Sequence, residues 1–157
     1  MKTTRNINIE YQEYSSKEEL SAEQLKLVNT AIEATKTAYS PYSHFCVGAA
    51  VLLANGEIVH GSNQENVAYP SGLCAERTAM FAASARFPKV AMKKLAIVGK
   101  NQQGELTSAT PCGACRQVIS EYQDLAGENI EILLYHDEGK ILVFNGIDSL
   151  LPLRFSF

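Results

Sequence analysis

The chain has 157 residues, 46% of them hydrophobic and 20% charged, with four Cys, no Trp and a net charge of −3. That length suits one domain whose core needs no disulfide, and the composition excludes disorder and collagen-like repeats. No apolar run approaches the ~18 residues of a membrane span, the first residues lack the apolar stretch of a secretory signal, and Lys and Arg spread along a slightly acidic chain make no surface for a phosphate backbone.

Residues 1–20 are polar, and the alternation of Ile7, Ile9 and Tyr11 allows a short edge strand or an ordered arm. They read as an extension ahead of a single domain over 21–157. Ser21 and Gln24 fit a capping box, with Leu20 and Leu25 placed to staple it, so a helix is expected over about 22–38. Leu25, Val28, Ile32 and Thr35 share one face of it. Ser40-Pro41-Tyr42-Ser43 stops the helix. The apolar run 46–54, the hairpin signal Asn55-Gly56 and the return at 58–60 predict two paired strands. Residues 62–73 are rich in turn formers. An Ala-rich stretch at 75–86, ended by Pro88, is apolar on most sides and reads as a buried helix. A strand follows at 95–98, then a helix from Pro111 to about Tyr122, then strands at 130–135 and 141–144 around Asp137-Glu138-Gly139-Lys140. The order helix, hairpin, helix, strand, helix, strand, strand predicts a layered α/β domain with helices covering the sheet.

The cysteines carry the chemistry. Without a secretory signal they are expected reduced, in the cytoplasm, where clustered thiols point to metal or redox work. Cys74, in Cys74-Ala75-Glu76, and Cys112 and Cys115, in Pro111-Cys112-Gly113-Ala114-Cys115, fall at the starts of two predicted helices. The helix dipole lowers a thiol's pKa there, and two converging helix starts would hold three thiolates around one zinc ion. Three protein ligands leave the fourth tetrahedral position to water, which is the arrangement of a catalytic site. Glu76 beside it would serve as general base and proton carrier. Two plainer readings compete. A structural zinc could take its fourth ligand from Cys46, His44, His60 or His136, and Cys112-Gly113-Ala114-Cys115 alone could be a redox dithiol. The Cys-x-Glu upstream of Pro-Cys-x-x-Cys favours the catalytic site over both.

The pattern resembles the homotetrameric, three-cysteine class of cytidine deaminases. It is carried by Ala38-Tyr39-Ser40-Pro41-Tyr42-Ser43-His44-Phe45, Val47-Gly48-Ala49-Ala50, Asn63-Gln64-Glu65-Asn66, Tyr69-Pro70, Cys74-Ala75-Glu76-Arg77-Thr78, Pro111-Cys112-Gly113-Ala114-Cys115-Arg116-Gln117, and Leu150-Leu151-Pro152 with Phe155. The resemblance implies a three-layer α/β fold with a mixed five-stranded sheet and helices on both faces. It implies one Zn2+ per chain and hydrolysis of cytidine or deoxycytidine to the uridine and ammonia, a step of pyrimidine salvage. By it, Asn63 and Glu65 hold the ribose hydroxyls, and Phe45 and Phe155 pack on the pyrimidine. The backbone of Ala75 and the carbonyl of Thr110 read the base edge, Tyr69 completes a neighbour's pocket, and Arg77 draws charge from the thiolates. Arg116 is read as structural. The implied assembly is a homotetramer with sites shared between subunits, Phe155 reaching across. Cys46 and Val67 depart from the residues common at those places in the family, Pro and Ala, and bear on substrate range more than on chemistry. Two other functions fit part of the pattern: deamination of a related cytosine nucleoside such as an antibiotic, and a zinc-stabilised interaction module. Consumption of cytidine separates the module from the enzyme.

Overall fold

In the computed structural model, which describes residues 1–156, the apolar runs become strands of one sheet. These are β1 (Gln12–Tyr14), β2 (Cys46–Leu53), β3 (Ile58–Ser62), β4 (Met92–Lys100), β5 (Leu106–Thr107), β6 (Glu131–Tyr135) and β7 (Ile141–Asn145). Their order is β1-β7-β6-β4-β2-β3, with β5 paired to β4. The β4–β6 pair is parallel and the other neighbours are antiparallel, so the sheet is mixed as expected. It has two more strands than the five predicted. The first addition, β1, pairs with β7 just beyond the Ile7–Ile9–Tyr11 alternation, whose side chains stay largely exposed. The second, β5, is a two-residue return on the end of β4.

Helices α1 (Ala22–Ala34), α2 (Ala75–Arg86) and α3 (Gly113–Ala126) cover the sheet. Strand side chains alternate between the two faces. Ala50, Leu52, Ala96, Val98 and Leu133 meet Leu27, Val28 and Ala31 of α1, while Ala49, Val51, Leu95, Ile97, Ile132 and Leu134 meet α2 and α3. Three layers result. The capping box forms, with the Ser21 backbone N–H donating to Gln24 Oε1 at 3.1 Å and the Gln24 N–H to Ser21 Oγ at 3.3 Å. The buried stripe of α1 centres on Leu27, Val28, Ala31 and Ala34, while Leu25 and Ile32 lie half-buried at its edges. The regular helix ends at Ala34 and tightens into a 3-10 turn, Thr35–Thr37, short of the expected residue 38.

The other two helices differ from the sequence expectation. α2 is buried along one stripe, Ala75, Glu76, Ala79, Met80 and Ala83, and leaves Phe81 exposed, because an Ala-rich helix looks apolar all round whichever face is covered. α3 starts at Gly113, after Pro111, and runs to Ala126, where Gly127 closes it in the left-handed conformation.

The topology explains why two distant segments share a site. Strands β3 and β4 both run antiparallel to β2, hence parallel to each other, and β6 is parallel to β4. α2 connects β3 to β4, and α3 follows β5, the short return on the end of β4, and leads into β6. Both helices therefore begin at the same end of the sheet, outside the carboxyl ends of parallel strands, where open α/β sheets place their ligands. α2 also rests very close to β3: a Cβ added at Gly61 would lie 2.5 Å from the Ala79 nitrogen, so only glycine permits this approach.

Candidate active site

Cys74 is the N-cap of α2 and Cys112 the N-cap of α3, both with extended backbones, and neither side chain makes a capping hydrogen bond. Ser, Thr, Asp or Asn at these positions would turn an oxygen back onto the helix at a gain of about 1 kcal/mol. Cysteine forgoes that bond, and its sulfur points instead to the meeting point of the two helix starts. There Cys74 Sγ and Cys112 Sγ are 3.8 Å apart, and with buried Cys115 all three sulfurs lie within 4.8 Å of one another. A tetrahedral zinc with bonds of about 2.3 Å to sulfur requires sulfurs about 3.8 Å apart, so the set fits that ion. Among the described residues this metal-binding group contains no histidine and no fourth cysteine. Cys46 lies elsewhere, its sulfur 3.3 Å from Ser40 Oγ. A four-ligand structural site would need Cys46, His44, His60 or His136 in this group, and none belongs to it.

Charge is concentrated here. The Cys74 thiol is held down at about 5, first by a hydrogen bond from Cys115 and then by the Arg77 guanidinium, while Cys115, donating that bond and buried, is pushed up. Arg77 Nη2 lies 3.6 Å from Cys74 Sγ, and its Nε is buried with no hydrogen-bond partner among the described residues. Glu76, only 4% exposed, is raised to about 7, chiefly because burial disfavours its charged form and then because the Cys74 thiolate repels it.

A cavity of about 310 Å³ opens beside the sulfurs, lined by Phe45, Asn63, Ala75, Glu76 and Thr110 together with Cys74 and Cys112. Asn63 and Cys74 also line an adjoining hollow of about 520 Å³, which adds Tyr42, Ser43, Glu65, Tyr69 and Arg77. The ring of Phe45 passes over Gly99, where an added Cβ would come within 2.9 Å of its tip. Asn63 is already engaged: it accepts the Val47 N–H at 2.7 Å and donates to the Phe45 carbonyl at 2.9 Å. Glu65 accepts from the Tyr42 N–H at 2.8 Å, from the Ser43 N–H at 3.2 Å and from the Ser43 hydroxyl. Tyr69 is 74% exposed and meets the Tyr42 ring edge-on at 5.7 Å.

Phe155 stands apart from this assembly. It is 65% exposed, lines neither hollow, and its carbonyl accepts from Gln117 of α3 at 3.4 Å. Arg116 donates to the carbonyls of Pro111 and Leu150, bracing the start of α3 against the last segment of the chain. Four residues of the smaller cavity, Val47, Ile97, Ser108 and Ala109, carried no expectation as site residues. Val47 was within reach of the sequence, since two residues beyond Phe45 on an extended chain it faces the same way. Ser108 arrives through a loop and has no local signal.

Residues 21–126 match a family described as the cytidine and deoxycytidylate deaminase zinc-binding region. A cytidine deaminase of Sporosarcina psychrophila is 46% identical over 97 residues, which cover 62% of this chain and 68% of that one. A cytidine deaminase of Halalkalibacterium halodurans is 37% identical over 130 residues, covering 83% of this chain and 92% of its own. The crystal structure of cytidine deaminase from Burkholderia pseudomallei superposes with a TM-score of 0.70 at 38% identity, over 83% of this chain and 97% of that one.

Proposed function

Because the chain belongs to the zinc-dependent cytidine and deoxycytidylate deaminases, we propose that Cys74, Cys112 and Cys115 hold its zinc and that Glu76 carries the protons of the reaction. The chain is an enzyme that deaminates cytidine by hydrolysis, giving uridine and ammonia. The observation that carries the division of labour is the meeting of three sulfurs within 4.8 Å beside a buried carboxyl, on the wall of a cavity sized for a pyrimidine. When bound, zinc acidifies a water toward a pKa of about 7. Glu76 would take a proton from the attacking water and pass it to the ring nitrogen beside the amino-bearing carbon. It would then take the second proton of the added oxygen and deliver it to the amine, which leaves as ammonia when the carbon–nitrogen bond breaks. A buried carboxyl on the cavity wall is placed to take up and release a proton in turn. Arg77, donating to Cys74 Sγ, withdraws part of the negative charge that three thiolates bring.

The base edge meets the backbone of Ala75 and the carbonyl of Thr110, with Phe45 packed on the ring. Asn63 and Glu65 face the sugar hydroxyls, and deoxycytidine, with one hydroxyl fewer on its sugar, keeps the base contacts. Residues 21–157 form the catalytic domain, with 1–20 as its extension. The chain works as a homotetramer in which Phe155 and Tyr69 reach a neighbour's site, a reading supported by the exposure of both side chains away from or at the rim of their own pocket. Its four free cysteines suit the reducing cytoplasm, and no helix among the described residues is long and apolar enough to cross a membrane. The test is optical. Mixing the zinc-loaded protein with cytidine should lower the nucleoside's absorbance, a chelator should stop the change, and added zinc should restore it. Unchanged cytidine with fully loaded protein would overturn the reading.

A further inference from the structure

Phe45 sits one residue ahead of β2, so the strand ladder, which begins at Cys46, does not hold its main chain. Side chains do so instead. The Phe45 N–H donates to Ser43 Oγ at 3.1 Å, and its carbonyl accepts from Asn63 Nδ2 at 2.9 Å. The Ser43 hydroxyl in turn donates to Glu65 Oε1, while Glu65 Oε2 accepts the N–H groups of Tyr42 and Ser43. Between these anchors His44 has φ 54°, the left-handed region that a residue with a Cβ enters only when its surroundings fix it there. The far end of the ring is located by the slot over Gly99.

We propose that Ser43 is a positioning residue, whose hydroxyl ties the main chain of Phe45 to the Glu65 carboxylate and so sets the base side and the sugar side of the pocket against each other. The inference rests on the reading of Phe45 and Glu65 as substrate contacts. Only a hydroxyl serves here, since it donates to the carboxylate and accepts from the N–H at once. A carboxylate offers about four acceptor places. The loop occupies three, which leaves Glu65 one place for a single sugar hydroxyl. The Ser43 hydrogen bond is also the largest influence holding the Glu65 carboxyl below its ordinary value, so the anchor stays charged.

The experiment measures kcat and KM for cytidine in the zinc-loaded Ser43→Ala, Phe45→Ala and doubly substituted proteins. Ser43→Ala should raise KM about tenfold, the loss of one charge-assisted bond, and move kcat less than about threefold with zinc retained. Added to Phe45→Ala, it should raise KM by less than about twofold, because the ring it places is gone. If Phe45→Ala raises KM and Ser43→Ala does not, or if the two effects multiply in full, the positioning role is refuted. An unchanged KM in Phe45→Ala itself would instead bring down the underlying substrate contact, and the inference with it.

Discussion

Glu76 and its neighbours show how much a single residue's position decides. The carboxyl lies in the first turn of α2, two residues past a sulfur that caps the same helix, so both reach one point only because they sit at the helix tip. Replacing it by Gln keeps shape and burial and removes the carboxyl that we propose carries the protons. Glu76→Gln should therefore lower kcat for cytidine by about two to four orders of magnitude while zinc content, measured by atomic absorption, stays that of the parent. Undiminished turnover would remove Glu76 from its role. The three sulfurs and this carboxyl were legible from spacing alone, because helix starts are marked by Pro, Gly and turn formers. The bonding of Asn63 and Glu65 was not. Their partners, Phe45, Val47, Tyr42 and Ser43, lie 16 to 23 residues away, and only the folded approach of two loops reveals them.

Among elements, α2 carries Glu76 just behind its N-cap Cys74 and lies on β3 with nothing but Gly61 between backbones. Gly61→Ala must push the helix outward, which should cost about 1–3 kcal/mol of stability. Thermal unfolding would read that loss, and zinc released to a colorimetric chelator would read the shift of Cys74. The C-terminal segment is held differently. Arg154 donates to both oxygens of Asp124 on α3 at 2.7 Å, to Asp148 at 2.8 Å and to Ser120 Oγ at 2.8 Å. Arg154 holds the Asp124 carboxyl below its ordinary value of 3.8, so this clamp contributes fully above that value and is lost as pH falls below it. The melting-temperature gap between parent and Arg154→Ala should stay constant from about pH 8 to about pH 5 and shrink toward about pH 3. Five strands and three helices were legible because each is a long apolar or periodic run. β1 and β5 were not, since two- and three-residue strands take their identity from the partner they pair with, β4 or β7, more than from their own pattern.

At the scale of the whole molecule, one chain brings together the three sulfurs, the carboxyl and a cavity beside them, while Phe155 is 65% exposed and its carbonyl accepts from Gln117 of α3. If neighbours complete one another's sites, two differently crippled chains should help each other. Phe155→Ala should raise KM about tenfold, and Glu76→Gln should be nearly inert. Hybrids made by mixing and reannealing the two should contain sites with an intact Glu76 and an intact neighbouring Phe155, and so regain a component of activity with the parental KM. Activity that is only the sum of the separate proteins would show that each chain works alone. The shared direction of β3, β4 and β6 has a practical corollary. With the sulfurs and Glu76 gathered beyond one end of the sheet, the β2–β3 hairpin tip at Asn55 and Gly56 lies at the opposite end of those strands, exposed. A peptide tag, a dye or a surface tether grafted at that tip would leave the nucleoside's doorway facing away from whatever the protein is fastened to.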